Sequence, residues 1–60
     1  MPVIIVEMWE GRTIEQKKML AKDLTAAFVK QGTAPEAVHV ILKDNPKCNW
    51  ASGGKLCSEG

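Results

Sequence analysis

The chain begins Met1-Pro2-Val3-Ile4-Ile5-Val6, and this stretch decides the fold. Its uninterrupted aliphatic run predicts a β-strand that is buried on both faces. The proline stands before the run, where its missing N–H removes no hydrogen bond from a β-ladder. We therefore expect a first strand that starts after Pro2 and packs against apolar residues on both sides.

Pro2 is also a candidate catalytic residue. Removal of Met1 would place Pro2 at the amino terminus, where its secondary amine carries a lone pair. A buried strand starting there takes the amine out of bulk water, which disfavours the ammonium form and lowers the pKa below the ordinary α-amino range. Such an amine is a usable general base. On residue types alone a structural proline at the start of a strand is more frequent, so both interpretations stay open here.

The length of the chain predicts an oligomer. Sixty residues form one domain at most, which we assign to residues 1–60. A core of this size only marginally offsets the conformational entropy lost on folding, and such domains usually need disulfides, a metal or oligomerisation. Hydrophobic residues make up 45% of the chain but aromatic residues only 5%. We expect aliphatic faces to be buried between subunits of a homo-oligomer.

The charge balance excludes some classes of partner. Eight basic residues stand against seven acidic ones, whereas nucleic acid or a membrane surface would require a basic face. The apolar run at the start is too short to span a bilayer, and no signal-peptide pattern follows it. We therefore expect no nucleic-acid or membrane partner and a cytoplasmic location.

Cys48 and Cys57 do not form a CxxC motif, and with a single histidine they do not complete the ligand set of a structural zinc site. We therefore expect no metal. Reduced thiols are the favoured state in a reducing compartment. A tight hairpin with Ser52-Gly53 at its tip would place the two cysteines opposite each other, so a cross-strand disulfide stays open as an alternative.

The segment after the first strand predicts one long helix. Thr13 is typical of an N-cap, because Gln16 stands three residues later, as a capping box requires. We expect the helix to run from about Ile14 to Gln31 and to end at Gly32. Pro35 then prevents it from resuming beyond one separate turn. The core-facing stripe of the helix is predicted to contain Leu20, Leu24, Ala27, Phe28 and Gln31.

The second predicted strand is Val38-His39-Val40-Ile41-Leu42, and Asp44-Asn45-Pro46 ends it. A strand, a helix and a strand in this order form a β-α-β unit with parallel strands. One helix covers only one face of that sheet, yet both strands carry apolar residues on both faces. We expect another copy of the chain to cover the second face.

The tail is rich in turn residues, and Ser52-Gly53-Gly54 predicts a hairpin. An arm of this size is too small to fold alone, so we expect it to lie on a neighbouring subunit. Trp50, in so short a loop, is more often a packing residue than a recognition residue. His39, a lone histidine in a strand, is likewise more often structural than functional.

Four motifs nevertheless occur in a specific order and spacing along nearly the whole chain. They are Pro2 after the initiator, Glu10-Gly11-Arg12-Thr13-x-Glu15-Gln16-Lys17 at the helix start, Ala34-Pro35 before the second strand, and Trp50-x-x-Gly53-Gly54 in the tail. Together they resemble 4-oxalocrotonate tautomerase, the small-subunit type of the tautomerase superfamily. The resemblance implies the α+β tautomerase fold, with a β-α-β unit of parallel strands, a small C-terminal hairpin and a homohexamer assembled from dimers.

The resemblance also implies a function. It indicates a cofactor-free keto–enol tautomerase of aromatic compound degradation, an isomerase that acts on an unsaturated 2-oxo acid such as 2-hydroxymuconate. Pro2 would be the general base and acid, and Arg12 would hold a substrate carboxylate. Trp50 would replace the family's pocket phenylalanine, and Trp9 would replace an aliphatic pocket residue. The chemistry agrees, because one group that takes a proton from an enol and returns it to carbon needs a pKa near the working pH.

One position departs from the family pattern. His39 stands where the family has a second substrate-binding arginine in the second strand, and a histidine offers fewer donors than a guanidinium. A monoacid is therefore an alternative substrate. Three other functions stay open: a superfamily relative that uses the same proline for hydration, dehalogenation or decarboxylation, an inactive homo-oligomer with a binding or structural role, and a redox role for the two cysteine thiols.

Overall fold

The computed structural model describes residues 2–59 of the chain. The elements in chain order are strand β1 (Val3–Trp9), helix α1 (Ile14–Val29), a 3₁₀ turn (Pro35–Ala37), strand β2 (His39–Asn45), a second 3₁₀ turn (Lys47–Asn49), strands β3 (Ala51–Ser52) and β4 (Lys55–Leu56), and a last 3₁₀ turn (Cys57–Glu59). Strands β1 and β2 pair in parallel, and β3 and β4 form an antiparallel hairpin. The predicted α+β class, with its β-α-β unit and C-terminal hairpin, is confirmed.

The parallel pair is longer than the sequence predicted. Its register runs from Val3 opposite His39 to Trp9 opposite Asn45, so β2 passes through the residues that were expected to end it. The Asn45 amide donates hydrogen bonds to the Glu7 carboxylate at 3.0 Å and to the Met8 carbonyl at 3.3 Å. These bonds tie Asn45 to β1. The strand ends at Asn45, because the next residue, Pro46, has no N–H to continue the ladder.

The capping box at the start of α1 is confirmed. The Gln16 N–H donates to the Thr13 hydroxyl at 3.1 Å, and the Thr13 N–H donates to the Gln16 side chain at 2.9 Å. At the other end the helix stops at Val29, two residues before the predicted Gln31. Gly32, with φ +96°, closes the turn that follows. Its N–H bonds to the Val29 carbonyl at 3.0 Å, an arrangement that glycine favours because it has no Cβ.

One face of α1 packs on the sheet, although its membership differs from the prediction. The half-buried helix residues are Lys17, Leu20, Ala21, Leu24, Thr25 and Phe28. The predicted members Ala27 and Gln31 are exposed. Ala27 points in a different direction around the helix axis from its half-buried neighbour Phe28, and Gln31 lies beyond the end of the helix. On the packed face the Lys17 ammonium lies 2.5 Å from the Asp44 carboxylate, which joins α1 to β2.

The opposite face of the sheet, here called the outer face, is not covered within the chain. It consists of Val3, Ile5, Glu7, Trp9, His39, Ile41 and Lys43. Val3, Ile5 and Ile41 are 54%, 55% and 44% exposed. Among residues 2–59, Met8 alone is buried. The prediction that one helix leaves one apolar face uncovered is confirmed.

The dimensions of the chain agree with this incomplete burial. The radius of gyration is 14.4 Å, whereas a compact domain of this length would have about 10 Å. The accessible surface is 4623 Å², and a folded monomer of this mass would expose about 3,900 Å². The chain is thus more extended than a self-sufficient domain.

The hairpin turns at Gly53-Gly54 and not at the Ser52-Gly53 tip that a cross-strand disulfide would need. Both glycines have positive φ, +61° and +80°, as a two-residue turn that matches strand twist requires. Ser52 therefore pairs with Lys55, and the Cys57 N–H donates to the Trp50 carbonyl at 2.8 Å. This register does not place Cys48 opposite Cys57. Both cysteines are free in this arrangement, Cys48 exposed and Cys57 half-buried, and their reduced state stays a prediction.

Replacing Thr13 by alanine should measure the contribution of the capping box. Thr13→Ala removes the hydroxyl that accepts the Gln16 N–H, and we expect the free energy of unfolding to fall by about 1 kcal/mol. Urea denaturation at one fixed protein concentration gives this value. Thr13→Ser keeps the hydroxyl and is the matched control. Equal stability of Thr13→Ala and the wild type would contradict a stabilising cap.

Candidate functional site

Pro2 and His39 lie together at the starting ends of β1 and β2. The Pro2 carbonyl accepts a hydrogen bond from the His39 N–H at 3.0 Å, and Pro2 itself is half-buried. The imidazole of His39 belongs to the exposed outer face, beside Val3. The backbone at Pro2 is therefore held by the first rung of the parallel ladder, next to a histidine that can donate or accept a hydrogen bond.

Trp9 and Trp50 meet at the opposite end of the sheet. Their ring centroids are 6.0 Å apart and their planes are inclined by 78°, an edge-to-face contact. The backbone of Trp50 is fixed on both sides, because its N–H donates to the Lys47 carbonyl at 3.2 Å and its carbonyl accepts from the Cys57 N–H. The aromatic pair thus joins the C-terminal arm, residues 46–59, to the end of β1.

Lys47 adds a positive charge to the same cluster. Its ammonium nitrogen lies 4.9 Å from the centroid of the Trp9 ring, within the range of a cation–π interaction. The residue begins the 3₁₀ turn that follows β2 and precedes Trp50. We call Trp9, Trp50 and Lys47 the aromatic–lysine cluster.

Arg12 lies in a groove between β1 and α1. The groove has a volume of about 480 Å³, within the size range of small-molecule sites. Its lining residues are Val6, Met8, Arg12, Gln16, Met19, Leu20 and Asp23. The strand supplies the apolar floor of the groove, and the helix supplies its other wall. Of the predicted site residues, Arg12 alone lines this groove.

The structure therefore divides the predicted site residues into separate places. Pro2 and His39 lie at the start of the sheet, while Trp9 and Trp50 lie at its far end. Strand β1 has seven residues, and at about 3.3 Å per residue it holds the two ends roughly 20 Å apart. Arg12 follows the far end of β1 after Gly11, whose φ of +119° turns the chain towards α1. Within one chain, Pro2 and Arg12 do not form a common pocket.

Sequence reasoning missed Lys47 and Asn45. The hydrogen bonds of Asn45 close the far end of the sheet, and Lys47 comes two residues later. A sequence signal existed in Pro46, which stops β2 and fixes where the chain leaves the sheet. It did not reveal that the turn after Pro46 returns over the Trp9 ring, because that contact depends on the path of the arm.

Within residues 2–59 no group of three or more His, Cys, Asp and Glu side chains lies close enough together to hold a metal ion. In the same described part of the chain, no helix combines the length and the apolar character needed to cross a membrane.

Comparison with known proteins relates the whole chain to one family. Residues 2–60 match the model of the family described as "Tautomerase enzyme". A curated relative from Streptococcus pneumoniae serotype 4, named "Probable tautomerase", is 46% identical over 57 residues. The match covers 93% of this chain and 95% of the relative.

Solved structures of similar proteins have the same fold. TomN, described as a 4-oxalocrotonate tautomerase homologue in the tomaymycin biosynthetic pathway, is 39% identical with a TM-score of 0.93, over 97% of this chain and 91% of TomN. A heterohexamer 4-oxalocrotonate tautomerase from Chloroflexus aurantiacus is 33% identical with a TM-score of 0.90, over 98% of this chain and 97% of that one. The similarity covers both the β-α-β unit and the hairpin.

The attachment of the C-terminal arm can be tested through Trp50. Trp50→Ala removes the edge-to-face contact with Trp9, which is worth about 1 kcal/mol beyond area burial. If the arm opens and closes rapidly relative to cleavage, we expect trypsin to cut after Lys47 and Lys55 roughly five times faster. Trp50→Phe keeps an aromatic ring and is the control. Equal cleavage of Trp50→Ala and the wild type would show that the ring contact does not hold the arm.

Proposed function

The chain belongs to the tautomerase family of enzymes, and from this premise we propose that it catalyses keto–enol tautomerisation of an unsaturated 2-oxo acid such as 2-hydroxymuconate. The observation that carries the proposal is the position of Pro2. It is the first residue of the family match and the residue before β1, and its carbonyl is anchored by the His39 N–H. Removal of Met1 would complete the site by freeing the Pro2 amine.

The proposed reaction needs one base that later acts as an acid. The lone pair of the Pro2 nitrogen takes the proton from the enol hydroxyl, the O–H electrons shift into the conjugated system, and a carbon atom then receives the proton from the Pro2 ammonium. An O–H bond is broken and a C–H bond is formed, so the reaction consumes no co-reactant. Partial burial of Pro2 supports this role, because desolvation favours the neutral amine.

Arg12 and the two tryptophans are proposed to bind the substrate. Arg12 is the only arginine of the chain, and its planar guanidinium can bind a carboxylate through two hydrogen bonds. The strand residues Val6 and Met8 give its groove an apolar floor. Trp9 and Trp50 offer flat apolar surfaces for a conjugated carbon chain. His39, beside Pro2, is proposed to offer a donor to the oxo or carboxylate oxygens.

We propose that the complete site forms between subunits of a homo-oligomer, most simply a hexamer. Pro2 and Arg12 lie at opposite ends of β1, so bringing both to one substrate requires a second copy of the chain. The exposed apolar outer face offers a surface for such contacts. The heterohexamer among the relatives supports this assembly.

Ile5 and Ile14 give a matched pair for testing the assembly. Ile5 is 55% exposed on the outer face and Ile14 is 66% exposed at the start of α1. Ile5→Lys should dissociate the oligomer and unfold the chain, because a charge then lies in the proposed interface. Ile14→Lys makes the same chemical change and should leave both the oligomer and the folded chain intact. Sedimentation and circular dichroism report them, and a folded wild-type monomer of 6.6 kDa would contradict the proposal.

Pro2→Ala tests the mechanism. In protein whose mass confirms removal of Met1, the variant has a primary amine in place of the cyclic one. We expect kcat/KM for 2-hydroxymuconate or phenylenolpyruvate to fall by about 10² to 10⁴, the usual value of a positioned base, while sedimentation stays unchanged. Unchanged turnover would remove Pro2 from the mechanism. Turnover of neither substrate by the wild type would refute the proposed activity.

A further inference from the structure

Lys47 is a cation without an acidic partner in the described part of the chain. Within residues 2–59 the ion pairs are Lys17 with Asp44, Lys18 with Glu15 and Lys43 with Glu7. The Lys47 ammonium lies instead over the Trp9 ring, at 4.9 Å from the centroid. The aromatic face attracts the ammonium electrostatically but does not neutralise its charge. A cation in this position keeps its capacity to bind an anion.

The position of Lys47 is set by its surroundings. Pro46 fixes the backbone on one side, and the Lys47 carbonyl accepts the Trp50 N–H on the other. Its ammonium lies over the Trp9 ring, and that ring makes an edge-to-face contact with the Trp50 ring. Ordering the lysine before a ligand arrives lowers the entropy cost of binding, because fewer rotamers remain to be lost.

Lys47 also lies at the end of the sheet from which Arg12 comes. Trp9 is the register partner of Asn45. Arg12 follows Trp9 by three positions, and Lys47 follows Asn45 by two. Both cations therefore leave paired strands at the same end. His39, which stands at the position of the family's second arginine, is at the opposite end of the sheet. Its backbone N–H donates a hydrogen bond to the Pro2 carbonyl there.

We propose that Lys47 is a second carboxylate-binding residue of the substrate site, which makes the enzyme selective for dicarboxylates over monocarboxylates. The inference rests on the proposed function and adds a residue to its site. Arg12 binds one carboxylate of the substrate, the conjugated chain lies against the tryptophans, and Lys47 binds the other carboxylate. The ammonium is a compact charge with three donors and can leave part of the ring face while its apolar stem stays in contact.

Binding of two related acids tests this inference without turnover. Muconate and sorbate have the same six-carbon diene chain, but muconate carries two carboxylates and sorbate one. Calorimetry gives both affinities for the wild-type assembly and for Lys47→Gln, Lys47→Arg and Lys55→Gln. Lys55 is an exposed lysine of the same arm, so Lys55→Gln controls for the loss of one charge. Trp9 and Trp50 are the only tryptophans, so fluorescence quenching locates the ligand at the cluster.

We expect Lys47→Gln to weaken muconate binding about tenfold, as the loss of a hydrogen bond to a charged group predicts, and to change sorbate binding less than about twofold. Lys47→Arg should keep most of the muconate affinity because the charge remains. Lys55→Gln should bind both acids as the wild type does. KM for 2-hydroxymuconate should rise with the muconate dissociation constant, while KM for phenylenolpyruvate should stay unchanged.

Three results would overturn the role of Lys47. They are equal effects of Lys47→Gln and Lys55→Gln on muconate, an equal loss for muconate and sorbate, and a wild type that binds muconate no more tightly than sorbate. The proposed function is tested separately. A wild type that turns over neither substrate but loses muconate selectivity on Lys47→Gln would retain the binding residue and refute the activity. Normal wild-type turnover together with no effect of Lys47→Gln on muconate binding would support the activity and refute the role of Lys47.

Discussion

The structure depends on one mismatch: a two-stranded sheet has two apolar faces, and the chain has one helix to cover them. Helix α1 packs on one face and is held there by the Lys17–Asp44 ion pair, while Val3, Ile5 and Ile41 remain exposed on the other. At about 25 cal/mol per Å² of apolar surface, this uncovered face withholds much of the free energy that a 60-residue chain needs for folding. Stability of the subunit is therefore a property of whatever covers the outer face, and on our proposal that is another subunit.

The same sheet separates the chemical groups. Strand β1 runs without interruption from Val3 to Trp9 and pairs with β2 over its whole length, so the candidate base and the candidate carboxylate-binding residue Arg12 are held apart by a rigid element. This fixed separation suits an assembly, because Pro2 and Arg12 each have a defined position in their own subunit. Pro2 of one subunit can then be placed next to Arg12 of a neighbouring subunit. In the proposed oligomer, folding and catalysis thus require the same contacts. A substitution on the outer face would reduce both together, even though it touches no catalytic group.

Local signals in the sequence predicted most of the fold. The aliphatic run after Pro2, the capping box at Thr13 and the turn at Gly32 each act over a few residues, and each is present in the structure. Features that depend on distant contacts were not predictable in this way. The extension of β2 to Asn45 depends on hydrogen bonds to β1. In the hairpin, Ser52-Gly53-Gly54 allowed two tips, and the structure adopts the one in which both turn residues are glycines with positive φ.

The candidate site also combines residues that local sequence motifs revealed with one whose position depends on distant contacts. Pro2, Arg12, Trp9 and Trp50 were recognisable from motif order, but the position of Lys47 over Trp9 depends on how the arm returns to the sheet. The Trp9–Trp50 contact holds the arm against the end of β1. The arm therefore determines both the shape and the charge of this end of the sheet. Two indole rings fill more space than a phenylalanine and an aliphatic residue would, and they offer a face on which a cation can rest. The pair of tryptophans therefore leaves less space in the proposed pocket and also positions Lys47. The shape of the pocket and its charge thus depend on the same two residues.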